Sequence, residues 1–250
     1  MAPDSHPALS LPGKRARLVA GPVPNAPPRA GDTAAQVGAV TVTVSANPSS
    51  TSARRRIGWG VMALSSAAIA LVSYRYLFGQ GPVPDGVATN RHFQPWIVLH
   101  AAGAATALLL GPVQFVASLR KRMPALHRIV GCLYWAGCLV GGVSALVLAA
   151  GVSAGPIAGM GFGALGAAWL AATGTAVRRI VAGDVASHRR WMVRSFALTF
   201  SAVTLRLYLP LASVAGVDFL LAYRVIAWMC WVPNLVGVEW CLRRPRTKAA

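Results

Sequence analysis

The stretch PWIVLHAAGAATALLLGPVQFVAS, residues 95–118, contains no charged side chain, and the basic segment LRKRMPALHR, residues 119–128, follows it. Another apolar run, GCLYWAGCLVGGVSALVLAA, occupies residues 131–150. A helix needs about 20 mostly apolar residues to cross the hydrocarbon core of a bilayer. Both runs are long enough, so this part of the chain predicts two membrane-spanning helices joined by a short basic connection.

The same pattern continues through the chain from Ile57 onward. The predicted spans are 57–78, 95–118, 127–150, 157–181, 190–212 and 219–241. The predicted fold class is therefore all-α, a six-span transmembrane helical bundle occupying residues 57–241. Residues 1–56 are rich in Pro, Ala, Ser and Gly and contain no aromatic residue, which predicts a disordered cytoplasmic N-terminal tail. Residues 242–250 are predicted to form a basic cytoplasmic tail.

The positive charge is distributed unevenly along the chain. The net charge is +18, yet all but four of the 24 Lys and Arg residues lie on one side of the predicted bundle. The exceptions are Arg75, Arg91, Arg206 and Arg224. By the positive-inside rule this distribution places both termini in the cytoplasm. The basic residues then face anionic lipid headgroups, so the predicted partner is the lipid bilayer and not nucleic acid.

Three of the spans carry a stripe of polar and small residues spaced by three or four positions, which places each stripe on one helix face. The stripes are His100, Gly103, Ala104, Ala107, Gly111, Gln114 and Ser118; His127, Gly131, Tyr134, Cys138, Gly141 and Ala145; and His188, Met192, Ser195, Thr199, Ala202 and Arg206. Small residues let membrane helices approach closely, which explains the Gly and Ala. That explanation does not account for the histidine that begins each stripe.

Two of these histidines lie at the predicted cytoplasmic boundary. His127 and His188 begin the third and fifth spans, which are diagonal neighbours if spans two to five form a four-helix arrangement. Two such imidazoles can supply both axial ligands of a haem iron, so one hypothesis is a b-type haem bound by this pair. The alternatives are interfacial anchors that contact lipid phosphates, or a contact to a substrate or quinone.

A candidate ligand pocket is predicted near the outer boundary. His100, Arg206 and Arg224 lie at comparable depth, and no acidic residue lies at that level. Ionisable groups inside a membrane are costly and usually face a cavity or a partner. With Gln114, these residues are predicted to form a pocket for an anionic or polar small molecule. The alternative is that the arginines extend to the nearby outer surface.

The remaining motifs exclude some activities. The sequence contains no nucleophile elbow, Walker loop, HExxH motif or paired carboxylates, which argues against hydrolytic and phosphoryl-transfer enzymes. Asp184 is predicted to cap the fifth helix. Glu239, the only glutamate, is predicted to pair with Arg243 four residues later. Gly159 and Gly163 are predicted to form a close-packing motif in the fourth span.

These motifs resemble an uncharacterised bacterial membrane family, domain of unknown function 2306. The matching residues are His100, Gly103, Gly111, Pro112, Gln114 and Phe115, the segment LHRIVGCLY (126–134), the segment GDVASHRRWMVRS (183–195) and Arg206. The resemblance covers residues 60–240, and HRRWMVRS is its most specific part. It implies a location in the bacterial inner (plasma) membrane and carries no activity.

A weaker similarity is to cytochrome b561-like dihaem membrane proteins, which also have six spans and histidines at both membrane faces. Their pattern needs four ligand histidines on four central helices, and the fourth span of this chain has none. At most His127 and His188 match. An outer haem at His100 would need another second ligand, such as Met160.

Two function classes follow from these observations. The first is a b-type haem or quinone-linked redox protein that uses His127 and His188. The second is a non-catalytic protein that binds or transports a small molecule through an outer pocket at His100, Arg206 and Arg224. The sequence leaves open whether the chain is an enzyme and what its oligomeric state is.

Overall fold

The computed structural model describes residues 48–244 apart from residues 82 and 84. The greater part of the predicted disordered tail, residues 1–47, therefore lies outside the described residues, as do residues 245–250. Within the described part, the first helix already begins at Pro48.

All regular secondary structure in the described residues is helical. The elements are α1 (Pro48–Ser73), the 3-10 helix η1 (Tyr74–Phe78), α2 (Asp85–Ala88), α3 (Phe93–Gln114), α4 (Ala117–Arg122), α5 (Pro124–Ala150), α6 (Pro156–Val181), α7 (Val185–Thr199), α8 (Ser201–Val214), α9 (Phe219–Met229) and α10 (Val232–Arg243). Six stretches are long and apolar enough to cross a membrane: Arg56–Phe78, Phe93–Gln114, Pro124–Ala150, Pro156–Val181, Val185–Val214 and Phe219–Arg243. The all-α, six-span fold class is confirmed.

The second span ends at Gln114 and not at residue 118, as the sequence had suggested. Pro112 in its last turn has no N–H to donate to the preceding turn. Val116 then adopts an extended backbone, with ψ of 108°, before the short helix α4 begins. The chain therefore leaves the span four residues early and forms a separate basic turn.

The connections between spans lie at two ends of the bundle. We call one the basic end; it holds the connections 115–123 and 182–184 and the last turn of α10. The opposite end holds the connections 151–155 and 215–218 and the described residues of the connection 79–92. Because consecutive spans run in opposite directions, Pro48 and Arg244 both lie at the basic end.

Four helices form the centre of the bundle. The helix α3 packs along α5, α5 along α6, and α6 along α7, and α7 returns to contact α3. Spans three and five are therefore diagonal neighbours, as predicted. Around this centre, α1 covers α3, α9 covers α6, and α8 packs against α9 and α1. Apolar side chains on the outer faces are exposed, for example Leu64 (73%) and Ile129 (58%), as expected for surfaces in contact with lipid.

Spans five and six are each interrupted, at Phe200 and at Cys230. Pro233 in the first turn of α10 has no N–H, which explains the break in span six. The Thr204 hydroxyl donates to the Cys230 carbonyl (2.5 Å), and Asn234 Nδ2 donates to the same oxygen (3.0 Å). Irregular backbone inside a membrane persists only where its polar groups are satisfied within the protein, and these two side chains meet that need.

Two aspartates begin helices at the ends of the bundle. Asp184 Oδ1 accepts a hydrogen bond from Ser187 N (2.9 Å) at the start of α7, so the predicted cap is confirmed. Asp218 accepts in the same way from Leu221 N (3.0 Å) at the start of α9. The hydrogen bond from Ser187 lowers the pKa of Asp184 below its ordinary value, and the charge of Arg179 acts in the same direction.

Candidate ligand-binding cavity

The small residues of spans two and three bring two helix backbones into direct contact. A Cβ atom on Gly103 would lie 2.5 Å from the Gly141 nitrogen and 2.7 Å from the Gly137 carbonyl oxygen. Ala107 is fully buried on the same face of α3. Glycine at position 103 is therefore required by the approach of α5, which is the packing role that small residues have in membrane bundles.

The two glycines predicted to pack in span four differ in their surroundings. A Cβ on Gly159 would lie 2.9 Å from the Ala149 carbonyl oxygen, which is a close backbone approach. A Cβ on Gly163 would meet only the Ala149 Cβ, at 3.8 Å, which is ordinary contact. The prediction is right for Gly159 and wrong for Gly163. Gly163 lies one turn further along α6, where the α5–α6 interface leaves room for a methyl group.

Five buried side chains form a hydrogen-bonded group between α5, α6 and α7, which we call the hydroxyl cluster: Tyr134, Trp169, Thr173, Ser195 and Thr199. The Tyr134 hydroxyl lies 2.8 Å from Ser195 Oγ and 3.0 Å from Thr199 Oγ1. Thr173 Oγ1 lies 2.6 Å from Ser195 Oγ. Trp169 Nε1 donates to Thr199 Oγ1 at 2.9 Å.

The donors of this cluster can be assigned from their acceptors. Thr173 donates to the Trp169 carbonyl and Thr199 donates to the Ser195 carbonyl, each one turn earlier in its helix. Ser195 Oγ therefore donates to Thr173, and the single Tyr134 proton goes to Ser195 or Thr199. Every hydroxyl proton is used internally, so the cluster ties three helices together and offers no donor to a ligand.

A cavity of about 490 Å³ lies between this cluster and the opposite end of the bundle. Trp169 and Thr199 form part of its boundary, and helices α1, α3, α5, α6 and α8 contribute most of the remaining walls. The walls are mainly alanine, leucine and other apolar side chains. Its volume is in the range of about 300–1,000 Å³ that small-molecule sites occupy, and such sites also combine apolar walls with a few polar groups.

His100 is one of the polar groups in the cavity wall. Its Nδ1 lies 2.9 Å from the Gly141 carbonyl oxygen. A carbonyl oxygen can only accept, so Nδ1 carries a proton and donates it. Because His100 lines the cavity, its second ring nitrogen, Nε2, remains for a hydrogen bond to a ligand there and is an acceptor when the ring is neutral.

Arg206 supplies a positive charge to the same cavity. Its Nη1 donates to the Ala202 carbonyl (3.1 Å) and its Nη2 donates to the Ser73 hydroxyl (2.9 Å). Ser73 in turn donates to the Ile69 carbonyl at 2.6 Å, which fixes the orientation of its hydroxyl. Among the described residues no carboxylate pairs with Arg206, so its charge is balanced only by dipoles. Arg206 on α8 and His100 on α3 both line this cavity.

The structure places the other two members of the predicted pocket elsewhere. Arg224 Nε donates to the Ala154 carbonyl (2.7 Å) in the connection before α6, and its neighbour Tyr223 lines the cavity instead. Gln114 is the last residue of α3, at the basic end, whereas the cavity lies toward the opposite end. Its Nε2 is buried and makes no hydrogen bond within the described chain.

The two histidines at the basic end, His127 and His188, lie in the first turns of the diagonal helices α5 and α7. His188 Nδ1 donates to the Ala176 carbonyl of α6 at 2.9 Å. Nε2 is therefore the ring nitrogen that remains for a ligand. His127 Nδ1 is buried and has no hydrogen-bond partner in the part of the chain that the structure describes. No group of three or more His, Cys, Asp or Glu residues is arranged around a metal site in that part. A bis-histidine haem needs only two protein ligands, so a group of three is not required at this position.

Arg243, the partner predicted for Glu239, makes only the longer of the two ion-pair contacts of this carboxylate. Arg194 Nε and Nη2 donate to the two carboxylate oxygens of Glu239 at 2.5 and 3.1 Å, while Arg243 is 3.9 Å away. Trp191 also stacks against Arg194, with the guanidinium carbon 4.6 Å from the ring centre. Arg194 and Glu239 are 45 residues apart and meet because α10 packs on α7. Spacing within one helix could not reveal this pair.

Sequence reasoning also missed two contributions to the cavity region. Ser73, which holds Arg206, carries no pattern signal because a lone serine near a helix end is common. The members of the hydroxyl cluster on α6, Trp169 and Thr173, belong to span four, which has no histidine and whose many Gly and Ala residues indicate only helix packing. The available signal is the spacing of Trp169 and Thr173, which are four residues apart and therefore lie on one face of span four.

One family model matches the chain, over residues 97–241, and is described as "Predicted membrane protein (DUF2306)". The chain belongs to this family. The matched region runs from α3 to α10 and includes most of the cavity and both histidines at the basic end. Together with the six apolar helices, membership establishes a multi-pass membrane protein. No curated protein and no solved structure matches the chain significantly, so the similarity to cytochrome b561-like proteins has no further support.

Proposed function

We propose that the protein binds a small amphipathic molecule in the 490 Å³ cavity, without chemical conversion, as a binding or transport protein. The observation that carries this proposal is the pair Arg206 and His100 on the wall of an otherwise mainly apolar space. An arginine inside a membrane is costly and usually faces a cavity or a partner. A ligand with an anionic or carbonyl group would supply that partner, and its apolar part would fill the space between the helices.

The contacts of the two side chains define the expected ligand chemistry. Ser73 and the Ala202 carbonyl hold the Arg206 guanidinium in place, so little side-chain freedom is lost when a ligand binds. Nε2 of His100 accepts a hydrogen bond from a ligand hydroxyl, or donates one to an anion after protonation. A carboxylate and a quinone carbonyl both fit this pair, and they are the two chemistries to test.

The test is equilibrium binding of decanoate and of decylubiquinone to the full-length protein in lipid nanodiscs, with empty nanodiscs as the background. We expect saturable one-site binding of at least one probe to the wild type. Arg206→Gln should weaken that binding about tenfold or more, because a hydrogen bond to a charged group contributes about 1.5–3 kcal/mol.

Arg91→Gln is the matched control for this experiment. Arg91 is an exposed arginine in the connection at the same end of the bundle, and it does not line the cavity. Its replacement should leave binding unchanged. Absence of saturable binding of both probes to the wild type, or equal losses in the two variants, would refute the binding proposal.

The second candidate function is a redox protein with a b-type haem bound by His127 and His188. Two observations favour it: the histidines lie on diagonal helices, and the Nδ1–H of His188 donates to a backbone carbonyl, as is usual for histidines that bind metals. Near them, a Cβ on Gly131 would have only Gln114 Oε1 within 4 Å, at 3.6 Å, so this face of α5 is not crowded. A bound haem would supply one-electron transfer, and Arg128 or Arg189 would neutralise its propionates.

Optical absorption of protein purified from haem-replete cells tests the second candidate. A haem bound by both histidines should give a Soret band that disappears in His127→Gln and in His188→Gln, since b-type haem is rarely held by one axial ligand. His92→Gln, at the opposite end, is the control and should keep the band. A purified wild type without Soret absorbance ends the redox proposal.

We propose further that the basic end faces the cytoplasm of a bacterial inner membrane. The support is the accumulation of Lys and Arg in the connections of that end. In a background without the four native cysteines, Ala215→Cys should react with an impermeant thiol reagent added to intact cells. Ala186→Cys, at the basic end, should react only after the membrane is opened. Both positions are exposed in the structure, so the reverse result would invert the orientation.

A further inference from the structure

An open cleft of about 390 Å³ lies at the basic end, between the end of α6, the start of α7 and the end of α10. Four arginines and one carboxylate line it: Arg179, Arg190, Arg194, Arg243 and Glu239. We call this the arginine cleft. It is separate from the cavity of about 490 Å³, and no residue lines both.

The only carboxylate of the arginine cleft is already engaged. Both oxygens of Glu239 accept hydrogen bonds from Arg194, and the two side chains are only 29% and 19% exposed. Trp191 covers one face of the Arg194 guanidinium. The charges of Arg194 and Glu239 therefore neutralise each other. The pair connects α7 and α10 and adds no net charge to the cleft.

The other three arginines have weaker contacts. Arg190 donates to the Ser187 hydroxyl at 3.2 Å. Arg179 lies 3.6 Å from Asp184, just outside the cleft, and Arg243 lies 3.9 Å from Glu239 with a side chain that is 82% exposed. Within the described chain the guanidinium groups around the cleft outnumber the carboxylates. The surplus requires an anion from outside the protein or remains solvated.

The position of the cleft favours a lipid as the source of that anion. It lies at the ends of membrane-spanning helices, which is the level of the lipid headgroups. Val181 (83% exposed) and Trp240 (62% exposed) lie on α6 and α10, two of the helices that line the cleft. Arg244 stacks against one face of the Trp240 ring, and the remaining exposed surface of both side chains is apolar surface on which acyl chains can pack. Guanidinium groups match phosphate oxygens through paired hydrogen bonds, and basic pockets between membrane helices commonly bind anionic headgroups.

We propose that the arginine cleft is a binding site for the phosphate group of one anionic phospholipid. Arg190 and Arg243 contact the phosphate, and the Arg194–Glu239 pair holds α7 and α10 at the separation that admits it. The acyl chains of the lipid lie along the exposed faces of α6 and α10.

The experiment is native mass spectrometry of the full-length protein released from micelles that contain equal amounts of phosphatidylglycerol and phosphatidylcholine. We expect the wild type to retain one phosphatidylglycerol in preference to phosphatidylcholine. The double variant Arg190→Gln with Arg243→Gln should lose this preference about tenfold or more, because each basic residue near a membrane surface contributes about 1 kcal/mol. Both side chains are exposed, so the melting temperature should change little.

The matched control is the double variant Lys121→Gln with Arg122→Gln. It removes two exposed positive charges from the same end of the bundle, on α4, outside the cleft. It should retain phosphatidylglycerol as the wild type does. Equal retention by the cleft variant and the control, or no preference in the wild type, would overturn the proposal.

A final arm separates a lipid from a soluble phosphate. Glycerol 1-phosphate is titrated against wild type and cleft variant, with thermal stability as the readout. If it stabilises only the wild type while phosphatidylglycerol shows no preference, the cleft binds a soluble phosphate and the lipid proposal is wrong. If phosphatidylglycerol is preferred and glycerol 1-phosphate has no effect at millimolar concentration, the acyl chains contribute as proposed.

Discussion

The α3–α5 interface and the cavity are built from the same kinds of small residue, yet they differ in what those residues do. At the interface, Gly103, Gly137 and Gly141 let two backbones touch. In the cavity wall, Ala101 and Ala105 come from the same helix α3, and there small side chains leave space unfilled. One segment of α3 therefore contributes to a closely packed contact on one face and to an open volume on another.

The difference between the two regions depends on the partner helix and not on the stripe itself. On the packed face, α5 also carries glycines at the matching positions, so the gap closes completely. On the cavity face, α1 and α8 form other walls of the open volume, and the polar side chains of Arg206 and His100 line it. Substitutions in the packed region should therefore affect stability, and substitutions in the cavity should affect ligand binding.

The largest expected effect is that of Gly103→Ala. The added methyl group would lie 2.5 Å from the Gly141 backbone nitrogen, so the helices must separate. We expect a loss of about 1–3 kcal/mol in unfolding free energy, as for overpacked cores. The measurement is reversible unfolding or thermal melting of the purified protein in detergent.

Gly163→Ala is the matched control for that substitution. The same methyl group would meet only the Ala149 Cβ at 3.8 Å. Because alanine favours helix over glycine by up to about 1 kcal/mol, we expect unchanged or slightly higher stability. Equal destabilisation by the two variants would contradict the assigned difference between the α3–α5 and α5–α6 contacts.

The next effect concerns the hydroxyl cluster, where the loss of an acceptor should cost more stability than the loss of a donor. Thr199→Val removes the acceptor of Trp169 Nε1 and leaves a buried donor unsatisfied, which costs about 1–3 kcal/mol. Tyr134→Phe removes only a donor, and its former acceptors keep their own donated bonds, so about 0.6 kcal/mol is expected. If unfolding shows Tyr134→Phe to be the more damaging variant, the donor assignments given above are incorrect.

These contacts show which parts of the structure the sequence could predict. The stripes correctly placed Gly103, Gly141, Tyr134, Ser195 and Thr199 on facing helix surfaces, because periodicity fixes the face of a helix. Periodicity does not fix the register between helices.

The parts that depend on register were the ones predicted incorrectly or not at all. Pairs distant in the sequence, such as Arg194 with Glu239 or Ser73 with Arg206, therefore could not be identified. The break at Phe200 was also missed, since no proline or glycine marks it. Gln114 shares a stripe with His100, but a stripe runs the whole length of a helix and cannot say which end faces a cavity.

A smaller effect on stability is expected in the cavity. Ala202→Leu adds three carbon atoms to a side chain on the cavity wall, where there is open volume to receive them. We expect a stability change within about 0.5 kcal/mol, together with loss of the ligand binding proposed above. Destabilisation comparable to that of Gly103→Ala would mean that the cavity is a packed region in solution.

The smallest effect should come from Asp184, in the connection between α6 and α7 at the basic end. Its folded pKa is lowered, so the ionised carboxylate stabilises the fold at a pH above the ordinary pKa of aspartate, about 3.9. This contribution is lost as the pH falls through the lowered pKa, because the folded and unfolded forms then bind the same proton. Asp184→Asn keeps a capping side chain but cannot ionise. Melting temperatures of wild type and Asp184→Asn should therefore differ at pH 7 and converge toward pH 3. A difference that stays constant or widens on acidification would show that the charge of Asp184 does not support the start of α7.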